Sequence, residues 1–228
     1  MILKHFYMLV CLPFILVSIF AVYNNISWLT HVCELMVLVS LLLGLSDKLE
    51  FKNFNFLVFL NLCFLAVLLQ VFENDFASNI TYMLSYLLLM WEAFRHIRRK
   101  FTNVVMFAFI FLLAGINLVF IFQHIQDLKI YMTGVWELVV YTFSYINLLI
   151  LALVALFYYL HSYSEKSIFF LIGVLSLVLS DILRDITFFY LPDLSILLME
   201  SLLNFCAIIL SFKFFATEEK KLSLFNLD

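Results

Sequence analysis

Residues 174–193 read "VLSLVLSDILRDITFFYLPD": an apolar run that takes in Asp181, Arg184 and Asp185 within five residues and stops at Leu191-Pro192. In an apolar segment long enough to cross a bilayer, such charges must be paired, hydrated or functional. The rest of the chain says that this is the setting. Of its residues 66% are hydrophobic and 13% charged, with only 4 Gly and 2 Pro. A soluble domain averages about 45–50% apolar and about 25% charged residues. The expected fold is therefore all-α, a polytopic membrane bundle forming one integral domain over residues 1–228, with no appended soluble domain. No basic patch suits a nucleic-acid partner, and membrane lipids are the expected surroundings.

A spanning helix needs about 20 mostly apolar residues. Eight segments qualify: roughly 6–23, 28–45, 54–72, 78–95, 103–123, 136–160, 167–187 and 194–215. Between them lie "NNIS", "SDKLEFKN", "ENDFASN", "RHIRRKFTN", "QDLKIYMTG", "HSYSEKS" and "LPD", all with loop chemistry. Backbone in lipid must satisfy its own hydrogen bonds, which makes each span a helix. Span 1 is too long for a signal peptide, and "SIFAVYN" is a poor cleavage site.

Eight spans put 11 of the 13 basic residues on the side of the N-terminus, and only Lys129 and Arg184 on the other. Cytoplasmic loops carry the Lys/Arg excess, so both termini are expected in the cytoplasm, in a bacterial plasma (inner) membrane. The four cysteines lie inside apolar runs without metal-ligand spacing, as packed thiols do.

With that orientation, a rise of about 1.5 Å per residue puts Glu34, Asp181 and Glu200 each roughly 9 Å below the outer face of a ~30 Å core. Asn117 on span 5 and Tyr141 on span 6 fall at similar depth. Helical company at i+3 or i+4 surrounds them: Thr30 and His31 beside Glu34, Glu137 and Tyr145 beside Tyr141, Arg184 and Asp185 after Asp181, Asn204 after Glu200. Gly173, Ser176 and Ser180 form a small-residue face suited to close helix approach. Two readings stand side by side. One is a structural hydrogen-bond network with a local Asp181–Arg184 pair; the other is a pocket open to the outer leaflet, since ionisable groups at depth face a bundle interior or a wet cavity. Glu92, Arg95 and His96 have the spacing of local ion pairs and, with "RRK", of a headgroup anchor. Asn147 suits a bond between helices. His5, His124 and His161 show no ligand partner at useful spacing. No nucleophile, phosphate-loop or zinc motif is present.

The last third of the chain, "ELVVYTFSYINLLILALVALFYYL" followed by "LIGVLSLVLSDILRDITFFY" and a closing apolar helix, resembles the end of the YhhN family, eight-helix membrane proteins that include lysoplasmalogenases. Gly173 with Ser180-Asp181 matches the family's helix-7 motif, and Tyr141 its helix-6 tyrosine. The first half departs from it. "HVCELMV" with Glu34 stands where the family has a Lys-Pro pair, "LAVLLQVF" where it has a Gly-Asp pair, and Trp91-Glu92 near an expected histidine.

The resemblance implies hydrolysis of the vinyl ether of a lysophospholipid by carboxyl acid–base chemistry. It makes Asp181, Glu200, Glu34 and Tyr141 the catalytic candidates, Glu34 or Glu200 replacing the absent acid. Arg184 would hold the substrate phosphate, with Asp185 and Asn204 beside it, and neither metal nor organic cofactor is called for. Burial near lipid favours the protonated form of a carboxyl, which suits a proton donor. A proton-coupled transporter and a non-catalytic membrane scaffold are the rival classes. Spans broken by Gly or Pro, common at transport sites, are not evident.

Overall fold

The computed structural model describes residues 6–45, 54–97, 104–132 and 134–219. Lys4, His5, Lys48, Lys52, Arg98, Arg99, Lys100, Lys220 and Lys221, most of the basic residues behind the expected orientation, lie outside the described residues. The fold is all-α, with eight helices and no β-strand among the described residues: α1 (Phe6–Tyr23), α2 (Ser27–Leu45), α3 (Phe54–Val71), α4 (Asp75–His96), α5 (Val104–Leu128), α6 (Val135–Ser162), α7 (Glu165–Asp185) and α8 (Leu194–Ala216). A π-helical turn, Ile186–Tyr190, extends α7.

Five of these elements are long and apolar enough to cross a membrane: α3, α5, α6, α7 with its π turn, and α8. The protein has the character of a multi-pass membrane protein. Apolar sequence also fills Val10–Tyr23 of α1 and Ser27–Leu43 of α2. α4 is 22 residues long but carries Asp75, Glu92 and Arg95.

Backbone turns explain why the helices fold back as hairpins. α1 ends in a pair of reversed bonds, Ile26 N to Ala21 O (2.9 Å) and Asn25 N to Val22 O (3.1 Å), with Asn25 at φ 55°. α3 ends the same way through Asn74 and Glu73, the latter at φ 57°. This Schellman geometry satisfies otherwise orphaned carbonyls and needs a left-handed residue, which Asn adopts more readily than Glu. Asn74 then caps α4 by accepting from Ala77 N (3.2 Å), so α4 starts at Asp75, three residues before the expected start. Ser164 caps α7 in a box with Ser167 and starts it at Glu165. α5 runs to Leu128, through sequence expected to be loop, because "IFQHIQDL" has no Gly or Pro to stop it.

The helices close into a ring in the order α1, α2, α3, α4, α6, α7, α8 and back to α1, with α7 and α8 in the most extensive contact. α5 stands outside this ring and packs chiefly on α6. Two apolar clusters fill the ring. Cys33, Val37, Leu41, Phe56, Phe205 and Phe212 lie at the centre of one, and Leu89, Leu151, Tyr158, Phe170 and Phe214 of the other. The small face of α7 lets α8 in closely: a Cβ on Gly173 would meet the Leu210 Cβ at 3.1 Å.

Candidate functional site

α8 is the hub of the layer, because three of its residues reach three different helices. Ser180 Oγ on α7 donates to the Glu200 carbonyl at 3.1 Å. Ser201 and Ser18 of α1 bring their hydroxyls to 3.4 Å. Asn204 Nδ2 donates to Glu34 Oε1 of α2 at 2.8 Å. Asp193 accepts from the backbone N–H of Ser195 at 2.7 Å and from its hydroxyl, which caps α8 and holds the exposed Asp193 carboxyl below the usual carboxylate range. The start of α8, and with it Glu200, is thereby set.

Asp181 is buried, and its Oδ1 accepts from Arg184 Nη2 at 2.8 Å, the local i, i+3 pair expected from the spacing. Arg184 sits among carboxyl groups: Asp181, Asp185 and Glu200 lie within its electrostatic reach, as does the hydroxyl of Tyr86. Glu200, half-buried, feels Arg184 first, then Glu34, Asp181 and His31. Glu34 is buried, with one carboxyl oxygen held by Asn204. Its other oxygen and His31 Nδ1 face each other at 3.7 Å, both buried and neither hydrogen-bonded. That gap is too long for a direct bond and leaves two buried polar atoms unpartnered at this point of the layer.

Three expectations need correcting. Asn117 has the right depth, but it projects from exposed α5 and its Nδ2 donates to its own helix at Leu113 O (2.8 Å), so it stands apart from the layer. Asp185, expected beside Arg184 as a substrate contact, is buried, and Tyr145 of α6 donates its hydroxyl proton to its Oδ2. Tyr141 packs with Tyr145 of the same helix, ring centroids 6.4 Å apart, on the Asp185 side of the layer. Glu137 is exposed, and Thr30 is turned onto its own helix at Ile26 O.

Sequence reasoning missed Tyr82, Tyr86 and His124. The tyrosines share a face of α4 at i, i+4 spacing, their rings stacked at 6.1 Å, and Tyr82 donates to Gln70 of α3 at 3.3 Å. Their spacing beside Ser78 and Ser85 was the available signal. His124 bonds Tyr145 at 2.9 Å, a partner on another helix that spacing along one helix cannot reveal. Asn147 does make the expected interhelical bond, to Met83 O at 2.9 Å.

A cavity of about 30 Å³ lies beneath the layer, lined by Cys63, Tyr82, Ser85, Tyr86, Asn204 and Ser211 among apolar side chains. It has room for one or two water molecules. Asn204 joins it to Glu34; Asp181 and Glu200 are not among its lining residues.

A second polar cluster occupies the opposite end of the bundle. Glu92 there is buried rather than spread at a headgroup surface: it accepts from Asn55 of α3 at 2.9 Å and from Arg95 at 3.3 Å. His96 bonds the Glu92 carbonyl through Nδ1 and Lys166 through Nε2, joining α4 to α7. Among the described residues no group of three or more His, Cys, Asp or Glu side chains is placed to hold a metal ion.

No family model, curated protein or solved structure matches this chain.

Proposed function

We propose that the protein spans the membrane eight times with both termini in the cytoplasm, and that it hydrolyses the vinyl ether of a lysophospholipid in a bacterial inner membrane. One observation carries this reading: Asp181 of α7 and Glu200 of α8 lie about one partly exposed guanidinium, Arg184, in an apolar bundle, and Glu34 of α2 joins the same group from the Glu200 side through Asn204. The likeness of Gly173, Ser180-Asp181 and Tyr141 to the lysoplasmalogenase motif supports it.

The chemistry asks for few parts. A carboxylic acid gives its proton to the terminal carbon of the O–CH=CH unit, and the ether oxygen shares the resulting positive charge as an oxocarbenium ion. A carboxylate takes a proton from water as the water adds to that ion. The hemiacetal then collapses to a fatty aldehyde and the chain-free glycerophospho-headgroup, and the proton taken up by the base returns to the acid to close the cycle. Asp181 is assigned the donor role, taking up its proton as the substrate phosphate draws Arg184 off the carboxylate, with Glu200 or Glu34 directing water. The outward part of Arg184 holds the phosphate, and Tyr141 and Asn204 shape the flanks. Asp185, bonded to Tyr145, is withdrawn from substrate binding.

The test is purified protein in detergent with a lysoplasmalogen, assayed for free aldehyde. Release that is lost in Asp181→Asn supports the reading. No release from folded wild-type protein ends it, and leaves a transporter or a scaffold.

A further inference from the structure

Tyr190, His124, Tyr145 and Asp185 come from the π turn, α5, α6 and α7, and they meet in a single file. Counting protons fixes the direction of each bond. Tyr145 has one hydroxyl proton, which goes to Asp185 Oδ2. Its oxygen is then only an acceptor, so His124 Nε2, 2.9 Å away, must carry a proton and donate it. A neutral imidazole protonated at Nε2 has its lone pair on Nδ1, and Nδ1 faces the Tyr190 hydroxyl at 3.4 Å. Tyr190 donates, His124 and Tyr145 each accept once and donate once, and the file ends on the Asp185 carboxylate, which accepts. Exposure falls along the same line: Tyr190 is 45% exposed, the His124 side chain 27%, and the Asp185 side chain 7%.

We propose that this file is a proton relay from the α7–α8 end of the bundle to the buried Asp185 carboxylate. Tyr190 passes its hydroxyl proton to Nδ1 of His124 and takes one from solvent in its place. The Nε2 proton moves to the Tyr145 oxygen as the Tyr145 hydroxyl proton moves to Asp185. One proton enters, one carboxylate becomes a carboxylic acid, and His124 is left as the Nδ1–H tautomer until the ring resets. No other reactant is needed. Histidine suits the step because its two ring nitrogens let it take a proton on one side and pass one on from the other.

The relay has charged neighbours on every side. Asp127 of α5 and Tyr131 lie near Tyr190, Tyr141 of α6 lies near Asp185, and Arg184 and Asp181 of α7 lie just beyond it. Asp185 is thus the link between solvent and the Asp181–Arg184 pair. The inference does not depend on vinyl-ether hydrolysis, since proton delivery would serve any proton-linked chemistry in this layer.

The test follows protons directly. Protein in lipid nanodiscs is given a rapid downward pH step, and the carboxylic-acid C=O band removed by Asp185→Asn is timed by infrared spectroscopy. His124→Gln keeps a donor toward Tyr145 and an acceptor toward Tyr190 but cannot relay. It is expected to slow the band at least tenfold with its amplitude unchanged, and Tyr145→Phe should do the same. Nitrogen-15 NMR of the wild-type His124 ring should show the Nε2–H tautomer, a readout independent of any variant's folding. An unchanged rate in His124→Gln, an Nδ1–H resting tautomer, or the lack of any band assignable to Asp185 would each overturn the relay.

Discussion

Replacing Asp181 by Asn removes the charge from its pair with Arg184 while keeping the side chain's shape. The pair is lopsided: one contact of 2.8 Å joins an Asp181 side chain 11% exposed to an Arg184 side chain 40% exposed. Stripping one partner from a fully buried pair costs about 3–5 kcal/mol, and a hydrogen bond to a charged group contributes about 1.5–3 kcal/mol. Water remains on the outer part of the guanidinium, and Asp185 and Glu200 stay within its reach. The lower end applies, and Asp181→Asn is expected to cost about 1.5 kcal/mol. Arg184→Gln should cost a similar amount, and the double variant about 2 kcal/mol rather than the sum, which gives a coupling near 1 kcal/mol.

Thiol labelling during denaturation can measure this. Cys11 and Cys33 are buried and react only on unfolding, while exposed Cys206 sets the folded baseline. Aldehyde release should vanish in Asp181→Asn at a loss of stability too small to unfold it. Additivity within about 0.5 kcal/mol would refute the coupling. Losses above about 4 kcal/mol in both single variants would make the pair a structural strut. Undiminished hydrolysis would remove Asp181 as the acid.

Other outcomes are equally open to measurement. Reporter fusions after Leu191 and after Lys221 should lie on opposite sides of the membrane; the same side for both would undo the eight-span topology. Arg184→Ala should raise KM for the lysophospholipid at least tenfold with a smaller effect on kcat, as expected of a phosphate anchor. Gly173→Leu puts a side chain where even a Cβ meets Leu210 at 3.1 Å, so α7 and α8 should separate at a cost of about 1–3 kcal/mol, seen as earlier labelling of Cys33. Asn147→Leu removes the bond to Met83 O and should cost about 1 kcal/mol in the same assay.

Helix number, the small-residue face of α7 and the Asp181–Arg184 pair were all legible in the sequence. Each depends on residues near one another along the chain or on bulk apolar length. A constant rise per residue lets a depth be assigned from the sequence, but an assigned depth is only a height. Asn117 and Asp181 receive the same height and differ in bearing around the bundle axis, which is set by which helices pack together. Asn204 illustrates the same limit. It follows Glu200 by one turn, yet its bond crosses to Glu34, 170 positions away. The left-handed turn at Glu73 was hidden for another reason: glycine is the usual occupant, and here reversed backbone bonds hold a glutamate there.

α5 has 25 residues, and among them Leu128 alone is fully buried. Most of its side chains touch nothing that would tell leucine from isoleucine or phenylalanine, so its composition is free to drift as long as it stays apolar. Its phase is not free. Each residue advances the helix by about 100°, so a single insertion between Val104 and His124 would swing the imidazole away from Tyr145 without changing any side chain. Across homologous chains, α5 should therefore conserve length and the position of one histidine, while its letters change almost at random.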